Sequence, residues 1–410
     1  MPKSLADRHL RLLGAVSLAL FVEEYDLSML TAALRDIAAD LGMAETDLGM
    51  HLGLIRLGAL PAFAVIPLAD RIGRRTIFLW ALAITGQATF LTGLAQTPLQ
   101  FTLAQMTARA FFVSGIAVAF VIVAEELPAS DRGWGIGMLG ALAATGHGLG
   151  VAFFGLIDVL HFSWRWLYVV GLAPVVALPL FARAVPETAR FTQHRLDRDE
   201  AAVSSGVLGS MDSLLALGRT RPLRAVGIAL LGFLPAMGFI TAFQFTGYFA
   251  LEVHGWSRSA YAAMVVLGGA IGIVGNIVAG RLGDRFGRRR VGLVMLGLFP
   301  LFVAGFYRGP GWMLPIAWVL FLFASQGGRV TLRSLAAEVF PTGSRSAASG
   351  LFNIMEAIGA AAGLFVVYFG SDQQGDLALL TPYVALASAA GGLLLFLFPE
   401  TRRRELEAID

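Results

Sequence analysis

Twelve stretches of the chain are apolar for long enough to cross a bilayer: 12–34, 47–67, 77–96, 99–125, 135–157, 164–184, 223–249, 259–280, 291–307, 312–336, 346–369 and 377–398. A helix rises about 1.5 Å per residue, so about 20 mostly apolar residues span the hydrocarbon layer. Short polar segments separate the runs, except for one long polar stretch at 186–222 that divides them six and six. The pattern predicts an all-α membrane protein of twelve transmembrane helices in two bundles. The expected domains are an N-terminal six-helix bundle (1–185), a cytoplasmic linker (186–222) and a C-terminal six-helix bundle with a short cytoplasmic tail (223–410). The linker carries His194, Arg195, Asp197, Arg198, Asp199 and Glu200, and 211–219 has the pattern of a short amphipathic surface helix.

Composition agrees. Of 410 residues, 57% are apolar and 14% charged, against about 25% charged in ordinary soluble domains. Mean hydropathy is +0.72. The net charge of +3 is too small to suggest a nucleic-acid partner, and the chain contains no cysteine, which excludes disulfides and thiolate chemistry. Glu23, Glu24 and Asp26 interrupt the first run, so it reads as a membrane helix rather than a cleaved signal. With both termini placed in the cytoplasm, 23 of the 31 basic residues fall on the cytoplasmic side and 4 on the other. Arginine and lysine are retained on the inner side, so this split predicts a multi-pass protein of the plasma (inner) membrane with cytoplasmic termini.

The chain repeats itself. Asp70-Arg71-x-Gly73-Arg74-Arg75 recurs 214 residues later as Asp284-Arg285-x-Gly287-Arg288-Arg289. Glu125-x-x-Pro128-x-x-x-Arg132 recurs 213 residues later as Glu338-x-x-Pro341-x-x-x-Arg345, and Pro186-Glu187-Thr188 recurs at the same offset as Pro399-Glu400-Thr401. Three motifs in register mean two homologous, pseudo-symmetric halves. All of them sit at cytoplasmic helix ends. Arginine forks pair carboxylates in bidentate fashion, so these groups are candidates for a gating network at the seam between halves. Parallel repeats of this kind are a transporter architecture, with substrate held between the halves near the midplane.

These motifs resemble those of the major facilitator superfamily of transporters. Gly280 to Arg289 matches the family's signature loop; in the first copy Ile66 stands where that loop usually begins with glycine. The glutamate–proline–arginine boxes, the Pro-Glu-Thr ends and Ser163-Trp164-Arg165-Trp166 are similar to the sugar porter, aromatic-acid:proton symporter and organic-ion branches. The resemblance implies the major facilitator fold and alternating access. Tyr25-Asp26 resembles the first-helix motif of proton-coupled sugar porters, in which the aspartate carries a proton and pairs with an arginine of the fourth helix. Here that arginine position is Gln105, and Arg109 follows one turn later. Gln244-Phe245-Thr246-Gly247 resembles a sugar-porter segment, but Tyr248 and Phe249 replace its asparagine, which argues against a typical hexose carrier. The Gly-Pro-x-x-Gly-Gly pattern of drug:proton antiporters is missing from the fifth helix.

Ionisable residues at membrane depth are costly and mark function. On the first helix, Ser17, Glu24, Ser28, Thr31 and Arg35 share one stripe, expected to face water. Asp26 lies about 200° around the helix from Glu24 and must face elsewhere. Asp26, Glu24, Glu23 and Arg109 are the candidate proton-coupling residues. Candidate substrate-binding residues are Arg56, His147, Gln244, Tyr248, Asn276, Gln326, Arg329, Asn353 and Glu356. Arg56 and Arg329 attract an anion if both face the cavity; the alternative is structural pairing with Glu23, Glu24 or Glu356. No nucleotide loop, metal cluster or nucleophile motif is visible, so an enzyme is not expected. The expectation is a monomeric secondary transporter without cofactor, driven by an ion gradient, moving a small anionic organic metabolite together with protons. The alternatives are a proton-coupled exporter of lipophilic or cationic compounds and a ligand sensor that does not transport.

Overall fold

The computed structural model describes residues 7–128, 131–188, 191, 219, 222–338, 345–373 and 376–398. The described residues are helical throughout their ordered elements, with no strand among them. The linker, its proposed surface helix and Glu400 lie outside the described residues, apart from isolated positions in the linker.

Each apolar run has its helix. We number them α1 (Asp7–Ala32), α2 (Leu34–Leu41, a short extra helix), α3 (Glu45–Ile72), α4 (Arg74–Leu94), α5 (Pro98–Glu126) and α6 (Arg132–Gly155). Then follow α7 (Arg165–Val176 with Leu178–Ala184), α8 (Pro222–Glu252), α9 (Arg258–Phe286), α10 (Arg288–Arg308), α11 (Leu314–Glu338), α12 (Arg345–Gly370) and α13 (Asp376–Leu394). Nine of these helices, among the described residues, are long and apolar enough to cross a membrane without interruption. Some of the others have identifiable local causes. Helix α1 holds three acids in its middle, and α7 bends by 45° near Ala177. Gly58–Pro61 form turns inside α3, between Leu57 and Ala62, yet Glu45–Ile72 runs on as one span. Pro61 has no N–H to continue the ladder.

Two compact units emerge. One comprises Met1–Leu30 with Gly58–Ser210, the other Thr31–Leu57 with Met211–Asp410. In the first unit, Leu13, Val16 and Leu20 of α1 pack with Phe78, Leu82, Ile122 and Val123 of α4 and α5. In the second, α8, α10 and α11 meet through aromatic rings. Phe239 and Phe299 lie 4.7 Å apart, and Phe243 and Phe321 5.0 Å apart, all near edge-to-face. Such pairs contribute about 0.5–1.5 kcal/mol each beyond their burial. Leu99, Trp166, Leu301 and Phe369 remain exposed, as lipid-facing positions should.

Candidate functional site

The three acids of α1 divide between two environments of the first unit. Glu23 is 1% exposed, and neither of its oxygens has a hydrogen-bond partner among the described residues. Its cradle is made by the absence of side chains: a methyl added at Gly115 of α5 would lie 2.7 Å from Glu23 Oε1 and 3.3 Å from Ala81 of α4. Asp26, three residues on and 6% exposed, faces the side chains of Thr89 of α4 and Gln105 of α5, with the Arg109 guanidinium close enough to act on its charge; its Oδ1 has no hydrogen-bond partner among the described residues. Gln105 also donates to Thr92 Oγ1 at 3.1 Å, and Arg109 stacks over Phe112. Both Gln105 and Arg109, the two family-like positions of this helix, therefore serve one carboxylate.

Glu24 points the other way. Its Oε2 lies 3.8 Å from His147 Nδ1 of α6, and both side chains are partly open, at 25% and 41%. The glycines beside His147 allow this. A methyl at Gly146 would collide with the Phe21 carbonyl, and one at Gly150 with Ser28 Oγ, so α1 and α6 touch backbone to backbone. This overturns one expectation. Ser17 and Ser28 are buried, and Ser28 donates to the Tyr25 carbonyl at 2.7 Å, so the stripe of α1 does not face water along its length. Close glycine packing outranks the side-chain polarity there. Tyr25 donates from its hydroxyl to the Leu167 carbonyl and is structural.

At the opposite end of the first unit, the repeated loop forms a clamp. Gly73, at φ 115°, ends α3 and caps α4. Glu187 Oε1 accepts from the backbone N–H groups of Arg74 and Arg75 at 2.9 and 3.2 Å. Arg74 reaches Asp70 at 2.8 Å and Glu125 at 3.4 Å, and stacks over Phe191. Arg75 donates to the Ala182 carbonyl. Arg71 is exposed. Every ion pair described here closes within the first unit. In the second unit, Gly287 repeats the turn at φ 101° between α9 and α10. Arg285 stacks over Phe286; Arg289 stacks over Phe396 and donates to the Phe398 carbonyl. Arg288 is half-buried. The side chains of Arg132, Asp284, Glu338 and Arg345 lie outside the description, as does that of Asn276.

The remaining candidates sit in the second unit. Arg56 is 8% exposed and donates through Nη2 to Gln244 Oε1 at 2.6 Å, while Gln244 Nε2 donates to Thr31 Oγ1 at 3.3 Å. Tyr248 donates to Glu45 Oε2 at 3.3 Å. Arg329 lies over the Phe239 ring, and one turn further along α11 Arg333 meets Glu356 of α12 at 3.6 Å. Gln326 is half-buried and Asn353 exposed. No group of three or more potential metal ligands occurs among the described residues. Sequence reasoning missed Thr89, although Thr85, Thr89 and Thr92 mark one face of α4, and it missed the pairs Arg35–Glu252 and Asp36–Arg258.

Comparison with known proteins fits this architecture. The chain is 26% identical over 413 residues to a probable 4-methylmuconolactone transporter of Cupriavidus pinatubonensis, covering 95% of this chain and 90% of the relative. It is 22% identical to an arabinose-proton symporter of Bacillus subtilis, covering 94% and 91%. Its fold matches the inward-open xylose transporter of E. coli with a TM-score of 0.71 at 16% identity, covering 98% of this chain and 99% of that one. The matched proteins are transporters, not enzymes. The family model of the Major Facilitator Superfamily matches residues 16–364 and 254–407, and this chain belongs to that superfamily of multi-pass membrane transporters.

Proposed function

We propose that this secondary transporter is a monomeric proton-coupled symporter of a small anionic organic metabolite, working by alternating access in the plasma (inner) membrane with both termini cytoplasmic. No cofactor is needed, because the ion gradient drives the cycle. The observation that carries the reading is the split of acids on α1. Asp26, beside Arg109, and Glu23 are sealed inside the first unit, and Glu24 stands half-open beside His147. A buried carboxyl beside a guanidinium has two self-consistent states, ion pair and neutral acid, and a proton selects between them. Asp26 is the coupling site on this reading. The arabinose-proton symporter supports coupling to protons, and the 4-methylmuconolactone transporter supports an organic-acid substrate. Arg329 and Arg333, one turn apart on α11 near Glu356, offer positive charge to such an anion.

The test is transport into proteoliposomes under an inward proton gradient, with labelled 4-methylmuconolactone and arabinose as probes. Accumulation of the acid, collapsed by a protonophore, is expected. Asp26→Asn should abolish accumulation yet keep exchange of labelled for unlabelled probe. Accumulation that survives the protonophore would overturn proton coupling, and accumulation of arabinose alone would overturn the anionic substrate.

A further inference from the structure

We infer that the lipid-facing surface of the second unit holds an anionic phospholipid, its phosphate on Arg308 and its acyl chains along α10 and α13. The site is independent of the cargo and of proton coupling. Topology does not explain Arg308. Helix α10 is 21 residues long, about 30 Å. Arg288, Arg289 and Arg290 open it, and Arg308 closes it. Retention of arginine on one side of the membrane accounts for the first group but not for a cation at the far end. Arg308 is exposed, yet it is held in place by α13. Its guanidinium carbon lies 5.0 Å from the centre of the Tyr383 ring, and its Nη2 donates to the Leu379 carbonyl at 3.2 Å. Among the described residues no carboxylate pairs with it. Asp376, the acid at the start of α13, is already taken by the Asp372 and Gln373 backbone N–H groups at 2.9 Å each. A guanidinium stacked on a ring, with N–H groups to spare, suits phosphate oxygens.

Two exposed apolar stripes meet at this guanidinium. On α10, Val294, Leu298, Leu301 and Arg308 lie at i, i+4, i+7 and i+14, which is one face of a helix. On α13, Leu379, Tyr383, Leu386 and Leu393 repeat the same spacing, and all four are exposed. The helices are joined along their length. Ser388 donates to the Leu296 carbonyl at 3.1 Å, and a methyl added at Gly392 would lie 3.1 Å from Leu296 Cβ. They run in opposite directions, so the end of α10 meets the start of α13, and Arg308 reaches from one stripe onto the other. Trp312, exposed in the turn after α10, supplies the ring usual at a membrane–water boundary. A soluble anion would use the arginine and leave both stripes unused. A phospholipid uses the arginine for its phosphate and the stripes for its chains, so lipid is the occupant.

Trp312 is the reporter for the test, in the full-length protein reconstituted into phosphatidylcholine vesicles. Phosphatidylglycerol or phosphatidylcholine, brominated on the acyl chain near the headgroup, is added in rising proportion. The Trp312 signal is the difference between the protein and its Trp312→Phe variant. Brominated phosphatidylglycerol should quench it at about one-fifth of the proportion that phosphatidylcholine needs, the preference that one arginine gives near a membrane surface. Arg308→Gln should abolish the preference. Arg308→Lys keeps the charge and should retain part of it, which also shows that the site still folds. Tyr383→Leu, which keeps the stripe apolar but removes the ring, should weaken it. Equal quenching by the two lipids in the unaltered protein overturns the lipid site. A preference that survives Arg308→Gln overturns it too, because it would come from the charge of the whole surface. Loss of the preference on adding inorganic phosphate, but not chloride at equal ionic strength, would assign Arg308 to a free anion and overturn the lipid.

Discussion

Glu187 is the residue whose removal tests the clamp around Gly73 most sharply, because one oxygen serves the first turn of α4. The Arg74 and Arg75 N–H groups have no partner within the helix, as at any helix start. Glu187 Oε1 accepts from both, and from Thr188 N at 3.1 Å. Its charge also faces the positive end of α4, an interaction of about 0.3–1 kcal/mol near a surface. Glu187→Gln keeps an acceptor but loses the charge, and should cost about 1 kcal/mol by that interaction and the weaker neutral hydrogen bonds. Glu187→Ala strands two donors. Leaving a buried donor unpaired costs about 1–3 kcal/mol, and water at this partly open site offsets part of it, so about 2–3 kcal/mol is expected. At about 2–4 °C per kcal/mol for a unit of this size, the alanine variant should melt about 4–12 °C lower and the glutamine variant about 2–4 °C lower. The assay is thermal unfolding in detergent, read from tryptophan fluorescence. Equal losses for both variants would refute the capping argument, because then charge alone matters. No loss for either would refute the clamp.

Gly146→Val should prevent normal folding or lower the melting temperature by several degrees, because its side chain meets the Phe21 backbone; Gly148→Val, with nothing within 4 Å, should be tolerated. Expression and size-exclusion profiles of the two variants decide it. Gly73→Asn should destabilise by about 1–3 kcal/mol at its φ of 115°, where the side chain also meets Glu187, whereas Gly42→Asn, at the left-handed φ of 66°, should have little effect in the same melting assay. Glu356→Gln should leave stability within about 1 kcal/mol, since its partner Arg333 is largely exposed, while tightening binding of an organic anion in a titration against 4-methylmuconolactone.

The twelve helices were legible because bilayer thickness imposes one length on every run. The repeat was legible because its motifs use glycine and arginine, whose roles are local. Helical geometry also separated Asp26 from Glu24 correctly: Asp26 is enclosed by α4 and α5, and Glu24 meets α6. The fate of Ser28 was not legible. Its position on a polar stripe suggested water, but the decisive neighbour is Gly150, 122 residues away in sequence, and nothing in α1 encodes that approach. The turns inside α3 were hidden for a related reason. Hydropathy runs unbroken through Gly58–Pro61, so the sequence shows one apolar run and no sign of the turns within it. Nor does any local pattern pair Asp36 with Arg258, 222 residues apart.

The two copies of the loop motif show how far a repeat constrains structure. Both glycines adopt nearly the same unusual backbone, φ 115° at Gly73 and 101° at Gly287, and both let one helix end and the next begin within a single residue. That part is dictated by the chain itself, since side chains rarely tolerate such angles. The second arginine beyond each glycine is put to a similar use. Arg75 donates to the Ala182 carbonyl, and its counterpart Arg289 donates to the Phe398 carbonyl at 3.5 Å and lies over Phe396. The first copy adds an ion cluster around Arg74, with Asp70 and Glu125. Raising ionic strength should therefore weaken the Arg74 clamp and leave the Arg289 contact intact. Cysteines introduced in turn at the equivalent positions Thr76 and Arg290 report this as salt-dependent labelling beside α4 and salt-independent labelling beside α10. Equal salt dependence at both would mean that the motif acts through its charge alone, with no role for the neighbours that distinguish the two copies.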